Sequence, residues 1–357
     1  MKSDKAVTRT LSRSETSDAF WDSIVDNSTS SSFAHRWWLS EALKSWPGRS
    51  DSSFIVLGTC GSPLALVPLQ LVEGSLFRIL RRNHFESYGG ILFTQEFELK
   101  KQIEVLQNVL MRLMDLLHEE RADFISLVIP FFTDQQQETN YLAAFEACGI
   151  DVIKSGTWVV DLRTSEEQLW QNLGGKQRNT IRKAQKSNIT IRKASDFDLD
   201  IYYQLHLETS IRNGISAHPI SYFENIWNHF FKQGEALILI AEKDGQVIAG
   251  QTFHCHKMVA TYWTGASTDA ARSTGVNSWL QWEGMKFFRD EGFYFFENGW
   301  KSDDQESKAG RISKFKSSFG GTVLPIYKVE IRNPQIAPRS RNALQVIVRK
   351  FRVRGCA

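Results

Sequence analysis

The segment from Val259 to Gly321 carries the strongest fold signal in the sequence. It contains VATYWTGAS (Val259–Ser267), TDAARSTGVNSWLQWEGMKFFRDEG (Thr268–Gly292), FYFFENG (Phe293–Gly299) and, after a charged loop, ISKFKSSFGG (Ile312–Gly321). The first and third segments have the apolar pattern of strands, and the second opens with a turn and continues as a helix. A helix N-terminus at this place offers unpaired backbone N–H groups and a partial positive charge, which suit a pyrophosphate. The pattern therefore predicts an enzyme that holds a phosphate-bearing acyl donor.

Length and composition allow two globular domains. The chain has 357 residues, of which 42% are hydrophobic and 23% are charged, and this length exceeds one ordinary core. The net charge of +3 is unevenly spread, because the tail Asn333–Ala357 has no acidic residue. The basic residues of this tail are Arg339, Arg341, Arg349, Lys350, Arg352 and Arg354. The rest of the chain is net negative, which does not favour a nucleic-acid-binding protein.

The cysteines and the apolar runs indicate the compartment. Cys60, Cys148, Cys255 and Cys356 are widely spaced and form neither a CxxC motif nor a secreted-type framework. The N-terminus lacks the apolar core of a signal peptide, and no apolar run reaches the roughly 20 residues of a spanning helix. We therefore expect a cytoplasmic protein without a transmembrane segment. The tail segment Asn342–Arg354 would either rest on the inner membrane face or pack on the body as a last helix or strand.

Periodicity assigns an ordered set of elements to the second half of the chain. After a strand at Thr157–Leu162, the predicted elements are strand Ile189–Lys193, helices Asp196–Asn213 and Ser221–Gly234, strands Ala236–Ala241, Gln246–Cys255 and Val259–Ala266, a helix after Arg272, and strand Phe293–Asn298. The tripeptide Lys243-Asp244-Gly245 predicts a hairpin between two of these strands.

The first half repeats much of this order, which indicates a duplicated domain. Its predicted elements are a helix that begins near His35, hairpin strands Ser53–Thr59 and Pro63–Leu71, a strand at Phe85–Phe93, a helix at Glu96–Arg121 and a strand at Asp123–Ile129. The junction falls in Gly149–Gly156. We therefore predict domains at 1–155 and 156–332, followed by a basic tail at 333–357.

With these elements in place, the chain resembles the GNAT superfamily of acyltransferases, and more closely its FemAB-type, BioF2-like branch with tandem GNAT domains. The resemblance covers most of the chain and rests on an ordered set of motifs: KQRNTIRKAQKSNITIRKA (Lys176–Ala194), the Asp-Gly hairpin, TGAS, the Arg272 turn, FKSSFGG (Phe315–Gly321), FAHRWWL and FESYGGILF. It implies an α/β (α+β) fold of two tandem GNAT-like domains, each a mixed central sheet flanked by helices. It also implies that the acyl donor lies between two diverging strands, Val259–Ala266 and Phe293–Asn298.

The resemblance places the pyrophosphate of acetyl-CoA or another acyl-CoA on the turn that opens the last long helix. The residues implied in cofactor binding are Arg272, Gly275, Val276 and Asn277. Gly275 would let the backbone approach the phosphates, and Arg272 would add charge. Asn277 departs from the small residue of the family pattern. The structural alternative is a capped helix start with a surface arginine.

Three residues are candidates for catalysis. The resemblance places Phe315 and Lys316 at the reaction centre, where the Lys316 ammonium would stabilise an oxyanion in a site that excludes water. The alternative is a flexible surface lysine before a Gly-Gly turn. Glu297 lies on the second diverging strand, and it could accept the proton of an attacking amine directly or through water. A buried hydrogen-bonding role is the alternative for Glu297.

A basic segment and one tyrosine are candidates for substrate binding. Between Gln168 and Ser195 the chain has seven basic residues and no acid. Within this segment Lys176, Arg178 and Arg182 would contact a phosphate-bearing sugar or peptide-sugar precursor, because paired arginines suit bidentate phosphate contacts. A solvated basic helix and a tRNA contact are the alternatives. In the first domain, Tyr88 precedes a Gly-Gly pair that would let the backbone approach a ligand, and a tight bend is the alternative.

No metal is expected. His254 and His256 alternate on a strand, but no further ligand cluster lies near them in the sequence. The sequence therefore favours a GNAT-type acyltransferase that transfers an acetyl or short acyl group from CoA to an amine, or a hydroxyl, of a cell-envelope or exopolysaccharide precursor. One alternative is a FemAB-type aminoacyltransferase that uses aminoacyl-tRNA on a peptidoglycan precursor. The other is a non-catalytic scaffold of a polysaccharide system, which the departure at Asn277 favours.

Overall fold

The computed structural model describes residues 9–74 and 83–336, and the chain divides into two compact units. Within the described residues, unit 1 comprises 9–74, 83–155 and 325–336, and unit 2 comprises 156–324. Nearly all of the predicted basic tail lies outside the described residues, as does its predicted membrane contact. Within the described part of the chain, no helix is long and apolar enough to cross a membrane.

Unit 1 contains four helices and two small sheets among its described residues. Its elements are helices α1 (Asp18–Asn27), α2 (Trp37–Lys44), α3 (Leu99–Glu119) and α4 (Gln135–Ala147), and strands β1 (Arg9–Ser12), β2 (Arg49–Asp51), β3 (Phe54–Leu57), β4 (Pro63–Val67), β5 (Gln70–Val72), β6 (Asn83–Ser87), β7 (Leu92–Phe93) and β8 (Ala122–Ile129). One sheet has the antiparallel order β1-β3-β4-β7. In the other, β2, β5, β6 and β8 are neighbours in that order, and only β6 and β8 are parallel.

A late segment of the chain completes the second sheet of unit 1. Strand β15 (Thr322–Arg332) pairs antiparallel with β8 from Tyr327 to Arg332. Residues 325–332 therefore group with unit 1, whereas the sequence placed them in the second domain. The reason is physical: a strand that adds to a distant sheet carries no local signal of which sheet it joins.

Helix α3 forms one wall of the core of unit 1. Leu106, Val109, Leu113 and Leu117 recur at three- and four-residue spacing, and all four are fully buried. This spacing places them on one helix face, which packs in the same cluster as Phe85 of β6.

Unit 2 is a single sheet with helices packed against it. Its helices are α5 (Glu166–Asn172), α6 (Gly175–Gln185), α7 (Leu199–Asn213), α8 (Ile220–Asn225), α9 (Val276–Asp290) and α10 (Lys308–Ser317), and its strands are β9 (Val152–Asp161), β10 (Ile189–Lys193), β11 (Ala236–Lys243), β12 (Gln246–His256), β13 (Val259–Ser267) and β14 (Phe295–Trp300). The strand order is β10-β11-β12-β13-β14-β9. Only β13 and β14 are parallel, because α9 connects them as a crossover.

Two local features set the strands and α9 in place. The predicted hairpin between β11 and β12 turns at Asp244 and Gly245, which both have positive φ, 52° and 77°. Helix α9 packs closely on β12, because a Cβ added at Gly284 would lie 2.6 Å from the ring of Phe253. That ring also contacts Phe288 and Phe296 at centroid distances of 6.1 and 5.7 Å. This aromatic cluster fixes α9 over the sheet.

Candidate active site

Strands β13 and β14 form a fork in the sheet of unit 2. They pair at three positions, of which the last is Thr261 with Glu297. Beyond this pair, β13 continues to Ser267 along β12, whereas β14 continues to Trp300 along β9. The peptide groups of β13 that face the fork are therefore outside the ladder with β14, and such an edge can bind an extended ligand.

Glu297 lies at the point where the fork opens. Its Oε1 accepts a hydrogen bond from Oγ1 of Thr157 at 2.7 Å, and its Oε2 accepts one from Oγ1 of Thr261 at 3.2 Å. Burial raises the pKa of Glu297, and the two threonine hydrogen bonds and the positive charge of Lys316 oppose this rise. A carboxylate with a raised pKa is better matched to proton transfer near neutral pH than an ordinary glutamate.

Lys316 approaches the same place from α10. Its side chain is buried, with 5% of its surface exposed. Gly299 of β14 has a φ of +94°, and a Cβ at this position would lie 2.6 Å from Nζ of Lys316. The backbone angle therefore favours glycine at position 299, and the ammonium of Lys316 lies close to this glycine. A buried ammonium group and a half-buried carboxylate thus lie together at the fork.

Helix α10 is held in place by contacts at its start and along its length. Oγ of Ser307 caps the helix by accepting from the N–H of Gly310 at 3.0 Å. Nε1 of Trp158 on β9 donates to Oγ of Ser313 at 3.2 Å. Phe315 packs on Phe319 with ring centroids 5.1 Å apart. Phe315 therefore anchors the helix in the core, and this anchoring fixes the position of its neighbour in sequence, Lys316.

The turn before α9 is shaped by Gly275. This glycine caps α9 with a φ of +84°, and a Cβ on it would lie 2.7 Å from Cγ2 and 2.8 Å from the carbonyl oxygen of Thr180 on α6. The N–H of Val276 donates to Oγ1 of Thr274 at 3.2 Å. Arg272 is exposed and forms an ion pair with Asp269 at 3.2 Å. From the sequence, Gly275 was expected to let the backbone approach the phosphates of the donor. In the structure, the same glycine also lets the start of α9 pack closely on α6.

Asn277 connects the first turn of α9 to the sheet. Its carbonyl oxygen accepts a hydrogen bond from Nε2 of Gln251 on β12 at 3.0 Å. Its Nδ2 lies 3.4 Å from Oγ of Ser267, the last residue of β13. A side chain larger than the family pattern expects is therefore accommodated by polar contacts at the end of the fork.

The basic residues of α6 have different surroundings. Nη1 of Arg178 donates to the carbonyl oxygens of Gln171 and Leu173 at 2.7 and 2.6 Å. This guanidinium therefore provides hydrogen-bond donors for carbonyl groups at the C-terminal end of α5. Arg182 stacks on the ring of Trp170 at 5.3 Å. Lys176 is exposed. The two arginines that the sequence predicted as a phosphate-binding pair thus both have partners on α5.

Tyr88 lies in unit 1 and is half-buried. It is within hydrogen-bonding reach of Arg49, whose Nη2 donates to Oε2 of Glu86 at 2.9 Å. Tyr88 is therefore part of a cluster of polar side chains in unit 1 that also contains Arg49 and Glu86.

In unit 1 a parallel strand pair also ends part-way, and a tyrosine hydroxyl binds the backbone just beyond it. The parallel pairing of β6 and β8 ends at Ser87 and Leu127, after which the chain leaves β8 and forms β7 along β4. The hydroxyl of Tyr141 on α4 accepts from the N–H of Ile91 at 3.2 Å and donates to its carbonyl oxygen at 3.0 Å. Tyr141 is 4% exposed. The peptide groups of Ile91 are thus already hydrogen-bonded within unit 1.

The two histidines of β12 are buried, and His254 lies against two aromatic rings. Burial lowers the pKa of His254 to about 3, and its ring lies 4.7 Å from Phe230 and 5.7 Å from Trp263. Over residues 9–74 and 83–336, no group of three or more histidine, cysteine or acidic side chains is placed to hold a metal ion. His254 is therefore part of the packed sheet face.

Sequence reasoning missed several residues around Glu297. Thr157 was assigned only to a strand, because its bond to Glu297 joins residues 140 positions apart. Gln281 and Asn298 were also missed: Nε2 of Gln281 donates to Oδ1 of Asn298 at 2.6 Å, and both side chains are buried. The register of β14 against β9 shifts at Asn298, and this irregularity directs its side chain towards α9. No local pattern in the sequence marks such a shift.

Comparisons with known proteins agree with this geometry. A family model described as an acetyltransferase (GNAT) domain matches residues 175–307, from the start of α6 to the residue before α10. A search of curated proteins finds no significant match. Unit 2 therefore contains a GNAT acetyltransferase domain, and the predicted class, an acyltransferase of GNAT type, is confirmed.

Solved structures share the fold over most of the chain. The crystal structure of FemX has a TM-score of 0.68 at 16% identity, over 95% of this chain and 99% of that chain. A tandem GNAT protein from the clavulanic acid biosynthesis pathway has a TM-score of 0.56 at 11% identity, over 93% and 100%. L-PGS from Bacillus licheniformis has a TM-score of 0.53 at 14% identity, over 88% and 96%. The predicted α/β fold with tandem GNAT-like domains, similar to a FemAB-type protein, is thereby confirmed.

Proposed function

We propose that unit 2 transfers an acyl group from acyl-CoA to an amine, and less readily to a hydroxyl, of a phosphate-bearing envelope or polysaccharide precursor. The observation that carries the proposal is the fork between β13 and β14, with Glu297 and Lys316 together at its opening. The acyl-pantetheine arm would lie along the unpaired edge of β13. The pyrophosphate would lie at the start of α9, around Arg272, Gly275, Val276 and Asn277.

The reaction proceeds by direct attack without an acyl-enzyme. The acceptor nitrogen attacks the thioester carbon, a C–N bond forms, and the C–S bond breaks to release CoA thiolate. Glu297 accepts the proton that the amine loses, and that proton then neutralises the thiolate or passes to water. Thr157 and Thr261 hold the carboxylate in place, because each donates to a different one of its oxygens.

Lys316 stabilises the charge that develops on the carbonyl oxygen. A buried ammonium needs no reorganisation when the oxyanion forms, and its effect is larger than in water because the site is shielded. Most of the remaining acceleration comes from holding donor and acceptor in line. No metal is assigned to any step.

Binding and thiol release test this proposal. Titration of the full chain with acetyl-CoA should show binding, and thiol release from acetyl-CoA should rise when a panel of amino sugars and amine-bearing peptides is added. Glu297→Gln should retain acetyl-CoA binding and lose the acceptor-dependent release. A chain that binds no acetyl-CoA, or a Glu297→Gln variant that releases thiol at the wild-type rate, would overturn the proposal.

A further inference from the structure

The helix α6 lies beside the start of α9, and two lysines lie on the side of α6 that faces it. The contact is made by Thr180, against which Gly275 packs so closely that a Cβ would collide with it. Lys176 and Lys183 lie four residues before and three residues after Thr180, so both share its helix face. Both lysines are exposed. The fold thus places the two lysines next to the α9 turn, one before and one after Thr180. The lysines and the turn are about a hundred residues apart in the chain.

The two lysines differ from the other cations of this region. Neither forms an ion pair with any carboxylate in the part of the chain that the structure describes. Arg272 on the turn is paired with Asp269, and the arginines of α6 are engaged with α5. Lys176 and Lys183 therefore add two exposed charges to that of Arg272 next to the α9 turn.

The spacing of the lysines indicates an anion with more than one phosphate position. Seven helical residues separate them, which corresponds to about 10 Å along the axis of α6. A pyrophosphate alone is shorter than this distance, whereas a nucleotide that carries a further phosphate on its ribose spans it. Lysine is suited to such a contact, because its ammonium is a compact charge on a flexible stem.

We propose that Lys176 and Lys183 form a phosphate-binding surface for the nucleotide of the acyl donor, and that this surface binds the 3′-phosphate of CoA in addition to its pyrophosphate. This inference rests on the proposed function, since it assumes that acyl-CoA occupies the fork. It assigns α6 to the donor side of unit 2, whereas the sequence suggested an acceptor contact for this helix.

Calorimetric titration of the full chain with CoA and with 3′-dephospho-CoA tests the proposal. The wild-type chain should bind CoA more tightly than 3′-dephospho-CoA. In the double variant Lys176→Gln/Lys183→Gln, CoA affinity should fall by about tenfold, as expected for lost charge-assisted contacts. The affinity for 3′-dephospho-CoA should fall much less, so the ratio of the two dissociation constants should approach one.

A matched control is available on the same helix. Lys186→Gln removes an exposed lysine at the C-cap of α6, away from Thr180, and it should leave the ratio at its wild-type value. The proposal would be overturned if the double variant bound CoA as tightly as the wild type does. It would also be overturned if the double variant lost affinity for CoA and for 3′-dephospho-CoA by the same factor. A wild-type chain that binds neither ligand would instead overturn the proposed function. Binding of tRNA without any binding of CoA would overturn both.

Discussion

Glu297 can be tested through the threonine that donates to it. Loss of the Thr157 hydroxyl in Thr157→Val should raise the pKa of Glu297 further, because this hydrogen bond is among the interactions that lower it against burial. The carboxylate is the active form, so activity is present above this pKa and is lost as pH falls through it. The acid limb of kcat/KM should therefore move to higher pH, as measured in a pH profile with acetyl-CoA. Thr157→Ser retains the hydroxyl and should show the wild-type pH profile of kcat/KM. An acid limb of kcat/KM that does not move in Thr157→Val would contradict the role of Glu297 as the proton acceptor.

Lys316 can be compared with a lysine two residues away. Lys316→Met should lower kcat by roughly a hundredfold, the typical cost of removing one group that stabilises an oxyanion. Lys314→Met removes the same charge from an exposed position on α10 and should leave kcat within about twofold. Thiol release from acetyl-CoA measures both. Equal rates for the two variants would show that the buried ammonium has no part in the reaction.

The residues of the site were predictable to different extents. Glu297 and Lys316 were candidates in the sequence because Glu297 lies on a predicted strand and the family resemblance implies a role for Lys316. Their partner Thr157 was not, because the contact depends on the pairing of β9 with β14. Arg178 had the residue type of a phosphate ligand, but its donors bind carbonyl oxygens of α5. Residue type alone does not distinguish these two uses of an arginine.

At the scale of elements, the start of α9 depends on Gly275. Gly275→Ala should lower the free energy of unfolding by about 2 kcal/mol or more, because alanine is strained at positive φ and would also collide with Thr180. Gly292→Ala separates the two effects, since Gly292 has a φ of +82° and nothing within 4 Å of the added Cβ. It should cost about 1 kcal/mol. Chemical denaturation measures both, and an equal cost at the two positions would exclude the helix contact as a cause.

Elements with strong local signals were predicted well from the sequence. The Asp-Gly hairpin and β10 agree with the structure because turn chemistry and alternation are local properties. Several elements were not predicted, and α4, α10 and β15 are among them. Helix α4 has little apolar periodicity, α10 is short and largely basic, and β15 contains Pro325, which weakens a strand pattern. Their formation depends on contacts with distant parts of the chain.

At the scale of the whole molecule, the two units should differ in donor binding. The fork of unit 2 is bordered by an unpaired strand edge, whereas in unit 1 the hydroxyl of Tyr141 occupies both peptide groups of Ile91. We therefore expect one CoA per chain in a calorimetric titration. Tyr141→Phe keeps the ring and should lower the free energy of unfolding by about 1–3 kcal/mol without changing this stoichiometry. Two sites per wild-type chain would contradict the difference between the units.

A crystal structure of the full chain with acetyl-CoA would show whether the fork between β13 and β14 binds the acyl donor. We predict that the pantetheine arm lies between β13 and β14, with the thioester carbonyl oxygen facing Nζ of Lys316 and the thioester carbon open to an acceptor beside Glu297. Acetyl-CoA bound elsewhere, with side chains closing the fork and Lys316 remote from the thioester, would contradict it.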